Sequence, residues 1–91
     1  MPVFLVERSF AEKLQLSGEE VRALEDAADD AGLRWLESFL SADRLRSYCL
    51  YEAPSAEALR VASERVGMPI DTIIEVTEMF GSLAGGGAFS R

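Results

Sequence analysis

The sequence contains no histidine and only one cysteine, Cys49. A catalytic Ser-His-Asp set therefore cannot be built, no intramolecular disulfide can form, and no Cys/His spacing of the zinc-binding type is present. A single cysteine suits a reducing compartment, so we expect the protein to be cytoplasmic.

Positive charge and long apolar runs are also scarce. Nine Lys and Arg residues stand against 16 Asp and Glu residues, which gives a net charge of -7, and the basic residues form no cluster. Nucleic acid and anionic membrane are therefore poor candidates for partners. The first apolar stretch ends at Glu7, which is too early for a signal peptide or a membrane span.

The first half of the chain carries clear signals for a strand and a helix. Residues 3–8 begin with an apolar run rich in β-branched and aromatic residues, end at a charged pair and predict a strand. Ser17 and Glu20 have the spacing of a capping box, which predicts that a helix begins there. Apolar residues at helical spacing follow, and Gly32 offers the left-handed conformation that ends many helices.

The second half of the chain completes the pattern. Residues 34–40 and 45–52 predict two strands joined by a short polar link of hairpin length. A second helix is predicted between Ser55, a capping residue, and Gly67, and residues 72–77 predict a fourth strand. The order β-α-β-β-α-β predicts a ferredoxin-like α+β domain, with two helices on one face of a four-stranded antiparallel sheet.

The proposed domain covers residues 1–80, and the remaining residues, 81–91, have a different composition. They include the run Gly85-Gly86-Gly87, which follows no strand-to-helix transition and is therefore not a phosphate-binding loop. Because a glycine-rich segment cannot recover its ordering entropy locally, we predict that residues 81–91 form a flexible tail.

Alternation along the predicted strands divides their residues between two faces of the sheet. The face expected to pack under the helices is almost wholly apolar and comprises Phe4, Val6, Leu36, Ser38, Leu40, Tyr48, Leu50, Ile74 and Val76. The other face combines aromatic and acidic residues and comprises Val3, Leu5, Glu7, Trp35, Glu37, Phe39, Ser47, Cys49, Tyr51, Ile73, Glu75 and Thr77. Since two helices cover only one side, we expect the second face to pair with an identical subunit and to enclose a cavity between the two sheets.

Four segments of the chain resemble a known family. They are the first strand over residues 4–10, Trp-Leu-Glu-Ser-Phe over 35–39, Tyr-Cys-Leu-Tyr-Glu-Ala-Pro over 48–54, and Gly-Met-Pro-Ile-Asp-Thr-Ile over 67–73. Together they resemble small bacterial proteins labelled as a domain of unknown function and also called nickel-binding or nickel-responsive-protein-like. The resemblance implies a ferredoxin-like fold, a dimer and, for some members, nickel binding.

The chain departs from this family at one position that matters for nickel. Relatives typically have histidine two residues after the tryptophan, where this chain has Glu37. Imidazole suits nickel well, whereas a carboxylate-rich set favours a harder divalent cation such as magnesium, calcium or manganese. The candidate metal ligands are Glu7, Glu37, Cys49 and Glu75, and the candidate cofactor-binding residues are Trp35 and Tyr51.

Each candidate residue also has a simpler interpretation. Glu7 could accept hydrogen bonds from Tyr51 or from the other subunit, and Cys49 could be a small packed hydrophobic residue. The whole face could be a dimer interface with glutamates at its rim.

Three functions remain open from the sequence. The first is a dimeric protein that binds a small ligand or a metal ion in the cavity between the sheets. The second is an enzyme of the isomerase, cyclase or monooxygenase type with Glu37 as acid or base, which rests on analogy with dimeric ferredoxin-like barrels. The third is a structural or regulatory subunit whose partner contacts the acidic helices. The sequence does not decide whether the protein is an enzyme.

Overall fold

The structure, a computed structural model, describes residues 1–80. Its elements are β1 (Val3–Ser9), α1 (Gly18–Asp30), β2 (Arg34–Leu40), β3 (Arg46–Glu52), α2 (Ala56–Arg65) and β4 (Thr72–Val76). The predicted order of strands and helices is confirmed. The predicted tail, 81–91, lies outside the described residues. Neither α1 nor α2 has the length and apolar character that crossing a membrane requires.

The four strands form one antiparallel sheet in the order β2-β3-β1-β4. This arrangement is the predicted ferredoxin-like α+β fold. Strand β1 pairs with β3 on one side and with β4 on the other. Val6 of β1 lies opposite Cys49 of β3 and opposite Ile73 of β4. Residues that face each other across strands share a side of the sheet, so these three side chains lie on one face.

The ends of both helices follow the signals in the sequence. Ser17 Oγ accepts a hydrogen bond from the Glu20 backbone N–H at 3.1 Å, and Glu20 Oε1 accepts one from the Ser17 N–H at 2.9 Å. At the start of α2, Ser55 Oγ accepts a hydrogen bond from the Ala58 backbone N–H. Gly32 and Gly67 follow the two helices with φ values of 76° and 70°, a conformation that glycine adopts without steric cost.

The hydrophobic core lies between the helices and one face of the sheet. Its buried residues are Phe4, Val6, Ala28, Leu33, Cys49, Tyr51, Ala53 and Leu59. The face that packs on the helices is called here the helix side, and the other is called the open face. The predicted division of residues between these faces is correct for Phe4 and Val6 but wrong for β3 and β4.

In β3 and β4 the two faces are exchanged relative to the prediction. Cys49 and Tyr51 lie on the helix side, while Leu50, which pairs with Leu5, lies on the open face. Ile74 also pairs with Leu5 and lies on the open face. Both faces of β3 carry apolar residues, so alternation alone does not fix its orientation; the register with β1 does.

A bulge in β2 explains a second difference. The pairing of β2 with β3 shifts between Trp35 and Glu37, so the strict alternation of side chains is interrupted there. As a result, Trp35 lies opposite Tyr51 on the helix side, and Ser38 lies opposite Cys49 on the same side. The expectation that Trp35 shares the open face with Glu37 is therefore wrong.

Candidate functional site

A cavity of about 340 Å³ lies between the two helices and the helix side of the sheet. Most of its lining residues are apolar, and the helices contribute Val21, Leu24, Ala27, Leu59 and Ala62. Some lining residues on this side of the sheet remain exposed, among them Leu16 and Leu40. These exposed side chains mark where the cavity opens to solvent, and the buried lining residues mark its inner wall.

Arg8 is the charged residue of the inner wall. It follows Phe4 and Val6 on the helix side of β1, and only 4% of its surface is exposed. Its Nη2 donates a hydrogen bond to Ser63 Oγ of α2 at 2.9 Å, and its Cζ lies 5.9 Å from the centroid of the Tyr51 ring. The buried Nε has no hydrogen-bond partner among residues 1–80.

Arg8 also lacks an ionic partner within the described part of the chain. The ion pairs found there join Arg34 to Glu52 and Arg46 to Glu7, and both lie on the open face. A guanidinium group remains charged at any physiological pH, and buried charges in proteins are normally paired. The cavity therefore contains one positive charge that no carboxylate of residues 1–80 balances.

Two stacked aromatic rings line the cavity, and the Tyr51 ring is the one that lies beside Arg8. The Trp35 and Tyr51 rings are 6.1 Å apart between centroids, with an angle of 27° between their planes. Trp35 Nε1 donates a hydrogen bond to Ser38 Oγ at 2.6 Å, and the Ser38 hydroxyl in turn contacts Cys49 Sγ at 3.0 Å. This chain of contacts satisfies the indole N–H and fixes the orientation of the tryptophan ring.

The ionisation of Tyr51 is shifted by its surroundings. Burial raises the pKa of its phenol above the ordinary value of 10.0, the charge of Arg8 opposes this rise, and Cys49 adds to it. The phenol is therefore protonated at neutral pH and can donate a hydrogen bond inside the cavity.

We expect Tyr51→Phe to reduce the loss of stability that the protein shows as the pH rises above 10. The native pKa of Tyr51 lies above its unfolded value near 10, so its contribution to stability is complete below pH 10 and is lost as the pH rises through the native pKa. Urea unfolding of the natural protein and of Tyr51→Phe at neutral pH and at several alkaline pH values measures this effect. Equal pH dependence in the natural protein and Tyr51→Phe would contradict the assignment.

Of the residues predicted to form a site, Trp35, Cys49 and Tyr51 come together, and all three line the cavity. The candidate glutamates do not join them. Glu7 and Glu37 lie on the open face, opposite Tyr48 and Leu50 of β3 respectively. Glu75 lies opposite Phe4 in β4, an edge strand, where it is exposed.

Glu7 has partners other than those expected. Its Oε2 accepts a hydrogen bond from Arg46 Nη1 at 3.0 Å, and its Oε1 accepts one from Thr72 Oγ1 at 3.3 Å. The expected hydrogen bond from Tyr51 is excluded because Tyr51 lies on the other side of the sheet. Within residues 1–80, no three His, Cys, Asp or Glu side chains are grouped so that they could hold a metal ion.

Sequence reasoning did not select Arg8 as a site residue, although a signal for it existed. Strand alternation places Arg8 in series with Phe4 and Val6, both of which were assigned to the core. Charged residues are seldom fully buried unless they are paired, and the sequence alone identifies no partner for Arg8. A charged residue continuing an apolar face is therefore the signal that points to this cavity.

A family model described as "Nickel responsive protein SCO4226-like" matches residues 4–76. The chain belongs to this SCO4226-like family. The suspected family is thus confirmed. No curated protein matches the chain in sequence.

A solved structure has the same fold as this SCO4226-like chain. It is described as the crystal structure analysis of SCO4226 from Streptomyces coelicolor A3(2). The two chains are 24% identical, the match covers 84% of this chain and 96% of SCO4226, and the TM-score is 0.65. At this level of identity the comparison establishes the fold alone.

Proposed function

We propose that this protein is a homodimeric binding protein that holds a small organic ligand in the cavity between its helices and its sheet. The observation that carries this proposal is a cavity of about 340 Å³ with apolar walls and a buried Arg8 at its inner wall. Small-molecule sites typically have volumes of about 300–1,000 Å³ and combine apolar walls with a few polar groups that orient the ligand.

The proposed site differs in place from the one expected between two sheets, but it includes residues that were expected to bind. Trp35, Cys49 and Tyr51 line this cavity, and the two aromatic rings offer flat apolar surfaces to a ligand. Glu37, the candidate acid or base of the enzyme hypothesis, lies outside the cavity on the open face. The geometry therefore supports binding better than acid–base catalysis by Glu37.

Filling the cavity from the helix tests this proposal. Ala62 of α2 lines the cavity, whereas Ala23 of α1 is exposed and lies outside it. We expect Ala62→Phe to abolish saturable binding of naphthalene, a small fluorescent apolar probe, and Ala23→Phe to retain it. Fluorescence titration measures both variants against the natural protein. Equal binding by both variants, or no saturable binding by the natural protein, would contradict the proposal.

The open face supports the homodimer. Its centre is apolar: Leu5 lies between Leu50 and Ile74, with Phe39 and Tyr48 beside them. Phe39 is 56% exposed and Ile74 is 52% exposed in one chain. A second copy of the chain would cover these side chains.

The ends of the open face are polar. The Arg34–Glu52 ion pair, at 3.2 Å, lies at one end of β3, and the Arg46–Glu7 pair, at 3.0 Å, lies toward the other end. An apolar centre with polar residues at its rim is the usual composition of a protein interface. This arrangement supports pairing of two open faces in a homodimer.

A response to nickel is the second candidate function, and the family description favours it. The donors in this chain do not fit nickel well. The chain lacks imidazole, and its candidate ligands Glu7, Glu37 and Cys49 are divided between the two faces of the sheet. Carboxylates bind many divalent cations, so a site made of them would select nickel poorly.

We therefore expect nickel to bind weakly, with little preference over manganese or magnesium. Glu37→His should strengthen nickel binding by about tenfold, because imidazole is a better nickel ligand than carboxylate. Calorimetric titration with nickel and manganese measures both proteins, and Glu64→His on the exposed surface of α2 is the control. Tight, nickel-selective binding by the natural sequence would show that the donors have been misjudged.

A further inference from the structure

We propose that the ligand of this cavity is an anionic amphiphile, a carboxylate with an apolar chain, whose head group pairs with Arg8. This inference rests on the proposed binding function and adds the chemical class of the ligand. Three features of the cavity carry it: the unbalanced charge of Arg8, the hydroxyl groups around that charge, and the apolar wall that leads from it to the solvent.

The positive charge of Arg8 indicates that the ligand is negatively charged. The side chain is 4% exposed, its Nε has no hydrogen-bond partner, and no carboxylate of residues 1–80 forms an ion pair with it. A guanidinium group offers a planar set of N–H donors that matches the two oxygens of a carboxylate. A ligand carboxylate would supply the charge and acceptors that the described residues do not.

Hydroxyl groups surround the same position. Ser47 lies opposite Arg8 in the sheet, Ser63 accepts the hydrogen bond from Arg8 Nη2, and the Tyr51 ring lies under the guanidinium group. All three residues are buried and line the cavity. Hydroxyl groups can donate to an anion as well as accept, so they can complete the hydrogen bonding of a carboxylate.

The wall beyond Arg8 determines the rest of the ligand. Apolar side chains of α1 and α2 line the cavity together with Arg8 and the exposed Leu16 and Leu40. Since one water molecule takes roughly 30 Å³ in the liquid, a cavity of about 340 Å³ has room for a ligand with on the order of ten non-hydrogen atoms. A medium-length fatty acid such as decanoate combines this size with the required charge.

Three probes separate the contributions of head group and chain. Decanoate carries both, 1-decanol carries the chain without the charge, and acetate carries the charge without the chain. We expect the natural protein to bind one decanoate per chain, to bind decanol about tenfold to hundredfold more weakly, and to show no saturable binding of acetate. Calorimetry and thermal denaturation, below the concentration at which decanoate forms micelles, measure binding.

Variants of Arg8 test the residue itself. We expect Arg8→Met to lose about tenfold to hundredfold in decanoate affinity while binding decanol at least as well as the natural protein does. Arg8→Lys should retain part of the affinity because it keeps the charge. Arg60→Met, on the exposed surface of α2, should bind decanoate like the natural protein.

The outcomes distinguish this inference from the proposed function. Equal affinity of the natural protein for decanoate and decanol, or unchanged decanoate binding by Arg8→Met, would overturn the anionic ligand and leave the cavity as a site for neutral molecules. The comparison of probes on the natural protein does not depend on the folding of any variant. Binding of neither decanoate nor decanol would overturn the inference and the proposed function together.

Discussion

Replacing Arg8 with methionine should raise the free energy of unfolding of the ligand-free protein by about 1–3 kcal/mol. Arg8 is buried, its Nε has no hydrogen-bond partner, and no carboxylate of residues 1–80 pairs with it. Methionine fills similar space without the cost of removing a charge from water. The lost contacts with Ser63 and the Tyr51 ring offset only part of this gain.

Urea unfolding without added ligand measures this change, and Arg60→Met is the matched control because Arg60 is exposed. We expect the control to change the free energy of unfolding by less than about 0.5 kcal/mol. A large loss of stability in Arg8→Met would mean that Arg8 holds α2 to the sheet through Ser63. A gain would mean that Arg8 reduces stability, as residues retained for binding often do.

Replacing Leu50 with arginine should dissociate the proposed homodimer. Leu50 lies in the centre of the open face, where a two-fold dimer would bury two copies of the new charge without partners. An unpaired buried charge typically costs several kcal/mol, so we expect the dimer to dissociate at concentrations at least about a hundredfold higher than the natural protein does. Sedimentation equilibrium measures the dissociation constant.

Val61→Arg is the matched control for this change. Val61 lies on α2 and is 38% exposed, so the same charge is added to an apolar position away from the open face. We expect Val61→Arg to remain dimeric, and circular dichroism checks that both variants keep their secondary structure. A natural protein that is monomeric at micromolar concentration, or a Leu50→Arg variant that stays dimeric, would show that the open face is not the interface.

Local sequence signals were sufficient to predict the elements of the fold. The capping box at Ser17 and Glu20, the cap at Ser55 and the glycines at 32 and 67 act within a few residues, and each is found where the pattern indicated. The order β-α-β-β-α-β then leaves few arrangements for four strands and two helices. The ferredoxin-like fold follows from these short-range features.

The side on which each residue lies depends on long-range pairing and could not be predicted in the same way. In β3, Tyr48 and Leu50 are as suitable for a core as Cys49 and Tyr51, so only the register of β3 against β1 decides between them. The bulge after Trp35 depends on how β2 pairs with β3, and no residue in the sequence marks it.

Only part of the candidate site was predicted, because the side on which each residue lies depends on this long-range pairing. Trp35, Cys49 and Tyr51 were grouped correctly because they share one side of neighbouring strands, although that side is covered by the helices. Glu7 and Glu37 were grouped with them through the wrong orientation of β3. The cavity itself depends on the distance between the helices and the sheet, which alternation does not determine.

The cavity between the helices and the sheet is proposed to bind an anionic amphiphile. A crystal structure of the protein with decanoate that carries bromine at its far end tests this most directly, because anomalous scattering locates the bromine. We expect a bromine peak between α1 and α2, toward Leu16 and Leu40, with the carboxylate against Arg8. A bromine peak on the open face beside Leu50, or no ordered ligand at saturating decanoate, would contradict it.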